Sequence, residues 1–266
     1  MNWFSDLNPL FQSLIAGLFT WGITALGALT VCFFKKINKK LLDILLGLSS
    51  GIMISASFWS LLLPSLDLAK ETQSLPWLLP SIGFLTGGVF VLFIDKFFGK
   101  FLEKKTFNSS RSEKSFKKTI LLILAITIHN IPEGMVIGVA FAGISLGIPE
   151  ATLTSAMLLS LAIGLQNFPE GAAVSLPLRQ EGYSRLGSFM IGQSSALVEP
   201  LSAVLGVLLT VFMRNILPFL LTFAAGAMII VVICELLPES IQENKSLTTI
   251  GVLIGFTLMM ILDVLF

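Results

Sequence analysis

Eight long apolar runs, separated by short polar stretches, leave this chain few folds to choose from. They lie at about 10–34, 41–66, 75–98, 119–145, 150–178, 185–212, 216–240 and 247–265. About 20 apolar residues in a row is the length of a helix that crosses the hydrocarbon core of a bilayer. Helix is the economical conformation for such runs. In lipid every backbone N–H and C=O must be paired, and these runs are too long and continuous for barrel strands. The expected fold class is therefore all-α, a polytopic membrane protein with eight transmembrane helices in one domain over 1–266. Only 12% of the residues are charged, against about 25% in a soluble domain. That excludes a cytosolic enzyme, a disordered chain and a disulfide scaffold. Cys32 and Cys234 sit in or beside apolar runs and read as reduced packing residues. The net charge of +1 gives no reason to expect a nucleic-acid partner. Met1 to Asn8 contains no Lys or Arg, so no cleavable signal is expected.

The basic residues set the expected orientation. With eight spans, the loops after spans 1, 3, 5 and 7 fall on one side and carry 15 of the 17 Lys and Arg residues. Lys70 and Arg214 are the other two. Positive charge accumulates on the cytoplasmic side, so those four loops read as cytoplasmic and both termini as outside. The basic, Ser-rich loop at about 99–118 reads as a solvated cytoplasmic linker. The expected location is the cell (inner) membrane, with the lipid bilayer as partner.

The chain also repeats itself. Ile82-Gly83, Gly87 and Asp95 match Ile250-Gly251, Gly255 and Asp263, all 168 residues later. Gly51-Ile52-Met53 followed by Leu62-Leu63-Pro64 resembles Gly226-Ala227-Met228 followed by Leu236-Leu237-Pro238, with a one-residue difference in spacing. Spans 2–3 thus echo spans 7–8. An odd number of spans separates the copies, so they run in opposite senses through the membrane. Inverted repeats of this kind build transporters with a midplane site; Gly and Leu-Pro also recur by chance in membrane helices. A shorter repeat is sharper. His129-Asn130-Ile131-Pro132-Glu133-Gly134 in span 4 matches Gln166-Asn167-Phe168-Pro169-Glu170-Gly171 in span 5.

These motifs place ionisable groups deep in the bilayer. No Lys or Arg occurs between Lys118 and Arg179, yet His129, Glu133 and Glu170 lie well inside spans. Glu199 is likewise central in span 6, with no basic residue between Arg185 and Arg214. An ionised carboxylate at that depth costs about 2.5–3.5 kcal/mol on insertion scales. Protons, cations or a water-filled path must offset it, and the spacing favours cations. His129 and Glu133 are i,i+4 on one helix face, and Gln166 and Glu170 repeat the geometry. Asn130 and Asn167 stand three residues before their Glu. Pro132 and Pro169 each free the carbonyl four residues back, at Ile128 and Leu165, and broken helices occur at transporter ion sites. Imidazole, carboxylate and amide donors, with the thioether of Met53, suit first-row divalent ions bound for release. Glu133 and Glu170 as bridging carboxylates would hold two metals. Each residue also has a plainer reading. Asn130, Gln166 and Asn167 would serve equally as hydrogen-bond glue between helices, and Met53 as core filler. Glu235 and Glu239 near the inner end of span 7 read as interfacial or as a metal exit relay. Asp43, Asp67, Asp95 and Asp263 lie near span ends, where solvation or helix-end electrostatics account for them.

The two Asn-x-Pro-Glu-Gly motifs resemble those of spans 4 and 5 in the ZIP (Zrt/Irt-like) divalent-metal transporters. Gly192-Gln193, Leu197-Val198-Glu199-Pro200, Ala224-Ala225-Gly226-Ala227-Met228 and Glu235-Leu236-Leu237-Pro238-Glu239 are similar to the GufA-like branch. The resemblance covers essentially all eight spans. It implies a 3+2+3 inverted-repeat arrangement, outward termini and a homodimer. It also implies a binuclear metal site. One position would use Met53, His129, Glu133, Gln166 and Glu170, the other Asn130, Glu133, Asn167, Glu170 and Glu199. The cargo would be Zn2+, with Fe2+, Mn2+ and Cd2+ as further candidates, carried toward the cytoplasm with no resident cofactor and no catalysis. Many members have a second His where this chain has Gln166, some have Asp at Asn167, and the usual His-rich loop is absent. Two other classes compete: an intramembrane metalloenzyme, which a single histidine equips poorly, and a proton-coupled solute carrier, which leaves the paired motifs unexplained.

Overall fold

The computed structural model describes residues 2–34, 38–104, 127, 130–147, 151–180, 182–212 and 217–265. Among these residues every regular element is a helix. A short helix α1 (Asn2–Ser5) leads into α2 (Pro9–Phe33), whose start is fixed by the Asn8 side chain accepting from Phe11 N and by Pro9 in the first turn. Helix α3 (Lys39–Ala56) is capped by Asn38 and continues through a π-helical segment (Ser57–Leu62) into α4 (Leu63–Thr72). Then follow α5 (Leu78–Lys104), α6 (Asn130–Ser145) and α7 (Leu153–Gln180). Helices α8 (Arg185–Ser194) and α9 (Val198–Phe212) are separated by a turn. Helix α10 (Leu217–Val231) passes through a second π-helical segment (Val232–Leu236) into α11 (Leu237–Leu265), which kinks at Asn244. Among the described residues five stretches are long and apolar enough to cross a membrane: Pro9–Phe33, Lys39–Lys70, Arg185–Phe212, Leu217–Leu236 and Asn244–Leu265. Leu78–Ile94 and Asn130–Ser145 are shorter apolar helices.

The surface is apolar and the interior unusually polar. Phe19, Leu26, Leu85, Phe93, Leu201 and Leu253 point outward. Thr20, Thr24, Ser49, Ser50 and Ser57 are fully buried. Most of these hydroxyls donate to a carbonyl one turn back, as Ser50 does to Leu46 O at 2.8 Å and Ser57 to Met53 O at 2.7 Å. Small residues with self-satisfied hydroxyls let helices approach closely where lipid supplies no hydrophobic drive.

The repeat in the sequence is also a repeat in the packing. Helix α3 lies along α11, and α10 along α5. A Cβ added to Gly51 would fall 2.2 Å from Val252 O, and one on Gly226 2.0 Å from Phe84 O. Gly255 abuts Leu48 O as Gly87 abuts Phe223 O, and Gly251 abuts Ile44 O as Gly83 abuts Phe219 O. Each contact maps onto its mate by the shifts of 175 and 168 residues that relate the two copies. The π-helical segments correspond as well. Leu63 N–H reaches back to Phe58 O and Leu237 N–H to Val232 O, each just before a proline. The proline ring crowds the carbonyl four residues back, and a widened turn relieves it. The first segment has six residues and the second five, which absorbs the one-residue difference in spacing.

Two expectations are corrected. Helix α7 is not broken at the motif: Pro169 and Pro177 both sit inside a continuous helix. One missing hydrogen bond is tolerated where neighbouring helices hold the chain in place. Span 6 is found as expected, over Arg185–Phe212, with a turn at Ser195 to Leu197 inside it. Helix α5, by contrast, runs on to Lys104, into the stretch read as loop. The rest of that loop, 105–118, lies outside the described residues.

Candidate functional site

Four helices bring the motif residues together. Helix α6 supplies Asn130 and Glu133, α7 supplies Gln166, Asn167 and Glu170, α9 supplies Glu199, and α3 lies alongside with Met53. All seven side chains are buried: Met53, Glu133, Gln166, Asn167 and Glu199 completely, Asn130 and Glu170 almost so. His129 lies outside the described residues.

The glycines of the motifs decide how near the carboxylates come. A Cβ on Gly134 would stand 2.3 Å from Glu199 O, so only glycine lets α6 meet α9 at this level. Gly171 meets Thr24 O on α2 in the same way.

The polar contacts form pairs across helices. Gln166 Nε2 donates to Glu133 Oε1, joining α7 to α6. Asn167 Nδ2 donates to both oxygens of Glu199, at 2.9 Å each, joining α7 to α9. Asn130 Nδ2 donates to Ser195 O at 3.1 Å. Glu170 is the charged neighbour of both Glu133 and Glu199. Opposite these bonds, Asn130 Oδ1, Glu133 Oε2, Gln166 Oε1 and Asn167 Oδ1 are buried without a hydrogen-bond donor. A buried acceptor left without a donor costs about 1–3 kcal/mol. Four in one place is what a cation, which bonds only to acceptors, would relieve. Among the described residues no group of three His, Cys, Asp or Glu side chains closes into a metal cage by itself.

Three supporting residues escaped the sequence reading. Ser49 Oγ donates to Gln166 O at 2.9 Å and fixes α3 against α7 at the height of the site. Met53, one turn on, lies on the same face of α3. Thr20 on α2 stands within hydrogen-bonding reach of Glu199. Ser195 contributes only its carbonyl. A buried Ser or Thr in a membrane helix is too common to flag, and a backbone acceptor leaves no mark in a sequence.

A cavity of about 230 Å³ lies beyond the site, lined in part by Trp59, Ser60, Ala140, Ser155, Leu159 and Asp263. Ser60, Ala140 and Leu159 are each seven residues from Met53, Glu133 and Gln166. Two helical turns, about 10 Å, therefore separate cavity and site along three helices. Ala56, Val136, Ile137, Ala162 and Ile163, all buried, occupy the level between them. Asp263 is not simply solvated at a span end: it is partly buried and accepts from Ser60 Oγ at 2.8 Å.

Comparison with known proteins accords with this arrangement. A family model described as ZIP Zinc transporter matches residues 115–263. A protein named Zinc transporter ZIP11 from Bos taurus is 36% identical, with 97% of this chain and 98% of that protein aligned. Zinc transporter ZIPB from Bordetella bronchiseptica is 34% identical over 94% of this chain and 80% of its own. Zinc transporter GufA from Myxococcus xanthus is 33% identical over 94% and 97%.

Proposed function

Because the chain belongs to the ZIP zinc transporter family, we propose that it carries Zn2+ and related divalent ions toward the cytoplasm through a two-metal site in the bundle. It is a membrane-embedded transporter and not an enzyme. The observation that carries the site assignment is the set of four buried, donorless oxygens on Asn130, Glu133, Gln166 and Asn167 beside three carboxylates. Met53, His129, Glu133, Gln166 and Glu170 hold one ion; Asn130, Glu133, Asn167, Glu170 and Glu199 hold the other. Glu133 and Glu170 bridge the two, as carboxylates do in other binuclear centres. Two divalent ions bring +4 against –3 from the three carboxylates. Amide-rich, carboxylate-rich coordination with at most one imidazole holds a first-row ion firmly enough to select it and loosely enough to let it go.

In this reading eight spans form a 3+2+3 inverted repeat, both termini face outside, and two copies form a homodimer in the cell (inner) membrane. The cavity at Ser60 and Asp263 is then the outer vestibule. The apolar layer of Ala56, Val136, Ile137, Ala162 and Ile163 is the closed outer gate. Uptake of radioactive zinc into proteoliposomes, against competing metals, tests the assignment. Saturable uptake inhibited by Fe2+, Mn2+ or Cd2+ is expected. Absence of metal flux through correctly inserted protein would overturn it.

A further inference from the structure

Gln166 and Asn167 meet the carboxylates with the atom that does not bind metal. The Gln166 Nε2 amide donates to Glu133, and the Asn167 Nδ2 amide spans both oxygens of Glu199. Their own oxygens, Gln166 Oε1 and Asn167 Oδ1, are left buried without donors. An amide that ligates a cation must present its oxygen. An amide beside a metal-free carboxylate must present its N–H, because two acceptors face to face repel. A half-turn about the terminal side-chain torsion, a soft one, exchanges the two arrangements.

This exchange matters because basic residues offer these carboxylates no help. A salt bridge joins Lys70 to Asp67, far along α4. Residues 119–178 and 186–213 contain no Lys or Arg. When cargo leaves, Glu133 and Glu199 lose their cation in a site sealed from water on the vestibule side by a layer of apolar side chains. The amides are positioned to replace it as hydrogen-bond donors.

We infer that Gln166 and Asn167 are the residues that allow the empty carrier to return. Each turns its oxygen to bound metal and its N–H to a carboxylate once the metal has gone. The inference rests on the transport reading above and adds to it a role in the unloaded half of the cycle. Asp in place of Asn167 would supply a ligand for the loaded state and no donor for the empty one.

Two fluxes separate the halves of the cycle. Net uptake of radioactive zinc into metal-free proteoliposomes requires the empty carrier to return. Exchange of external labelled zinc for internal unlabelled zinc does not. Asn167→Asp removes the donor and adds charge; Gln166→Met removes the donor from a side chain of similar length without adding charge. In both variants the ratio of exchange to net uptake should rise about fivefold or more, whatever the change in zinc affinity, because the empty step is slowed by more than the loaded one. Loss of both fluxes in equal proportion, partial or complete, would overturn the inference, because the amides would then act only as ligands or packing. An unchanged ratio at wild-type rates would overturn it too. Failure of the wild-type protein to show either flux would instead overturn the transport reading.

Discussion

The contact between α6 and α9 at Gly134 sets the geometry of the site, and Gly134→Ala tests it. The added methyl group would lie 2.3 Å from Glu199 O, 2.9 Å from Glu199 Cα and 2.8 Å from Ser202 Cβ. A close carbon–oxygen contact needs about 3.3 Å, so the helices must part by about 1 Å. The obstructing atoms are mostly backbone, which cannot rotate aside as a side chain can. Gly138 against Ala203 O and Gly206 against Met135 O keep the same seam closed further along both helices. Overpacking of this kind costs about 1–3 kcal/mol. Alanine recovers up to about 1 kcal/mol through its better helix propensity. The net loss is about 1 kcal/mol and at most about 2. Falling on the metal-bound state, in which Glu199 is a proposed ligand, it weakens zinc binding about fivefold, and at most about 30-fold, at 1.4 kcal/mol per decade. The assay is zinc uptake in proteoliposomes, read as KM, with heat inactivation in detergent as a stability readout. Gly22→Ala is the control, since no atom would lie within 4 Å of its Cβ. A Gly134→Ala protein with wild-type KM and wild-type heat stability would refute the view that this contact positions Glu199.

Three further outcomes are expected. Glu133→Ala should insert normally and lose metal uptake, because it removes the carboxylate that faces both proposed ions; near-normal uptake would sink the bridging role. Gln166→His should raise the preference for zinc over manganese, since imidazole is the better ligand for zinc, and competition uptake with an unchanged Zn/Mn ratio would leave Gln166 as interhelical glue. A cysteine placed at Ser109 should react with an impermeant thiol reagent only from the cytoplasm, and one at Asn2 only from outside. Labelling of both from one face would mean an odd number of spans.

Much of this arrangement is legible in the sequence because membrane burial makes polarity informative. A carboxylate in a long apolar run has few neutral explanations, so Glu133, Glu170 and Glu199 stand out by residue type and position alone. The duplicated motif adds Asn130, Gln166 and Asn167, and the fold gathers all six on facing helices. What stays hidden has local causes. The turn inside span 6 at Ser195 to Leu197 lies within an unbroken apolar run, which hydropathy reads as one helix. The continuity of α7 through Pro169 depends on its neighbours, which proline rules for isolated helices ignore. Ser49 and Thr20 are indistinguishable by sequence from the many hydroxyls that bond back to their own helix. Asp263 reads as solvated because its partner Ser60 is 203 residues away.

The internal repeat does more than multiply helices. It places the same glycine seam and the same widened turn on both halves of the bundle, in copies that the proposed eight-span arrangement sets in opposite directions. The seams Gly51 to Val252 and Gly226 to Phe84 are backbone against backbone, and such contacts leave little room for sliding. The π-helical segments are different. Each lies between a seam and a proline, where the helix already lacks its regular hydrogen-bond ladder. Bending therefore costs least at Ser57–Leu62 on one half and at Val232–Leu236 on the other. The first of these borders the cavity through Trp59 and Ser60, above the apolar layer that closes it. The second occupies the matching place in the other copy, which the proposed topology puts at the cytoplasmic end. On that reading we propose that a bend at one opens the outer path and a bend at the other the inner path, so that alternating access uses two copies of one local weakness in opposite senses.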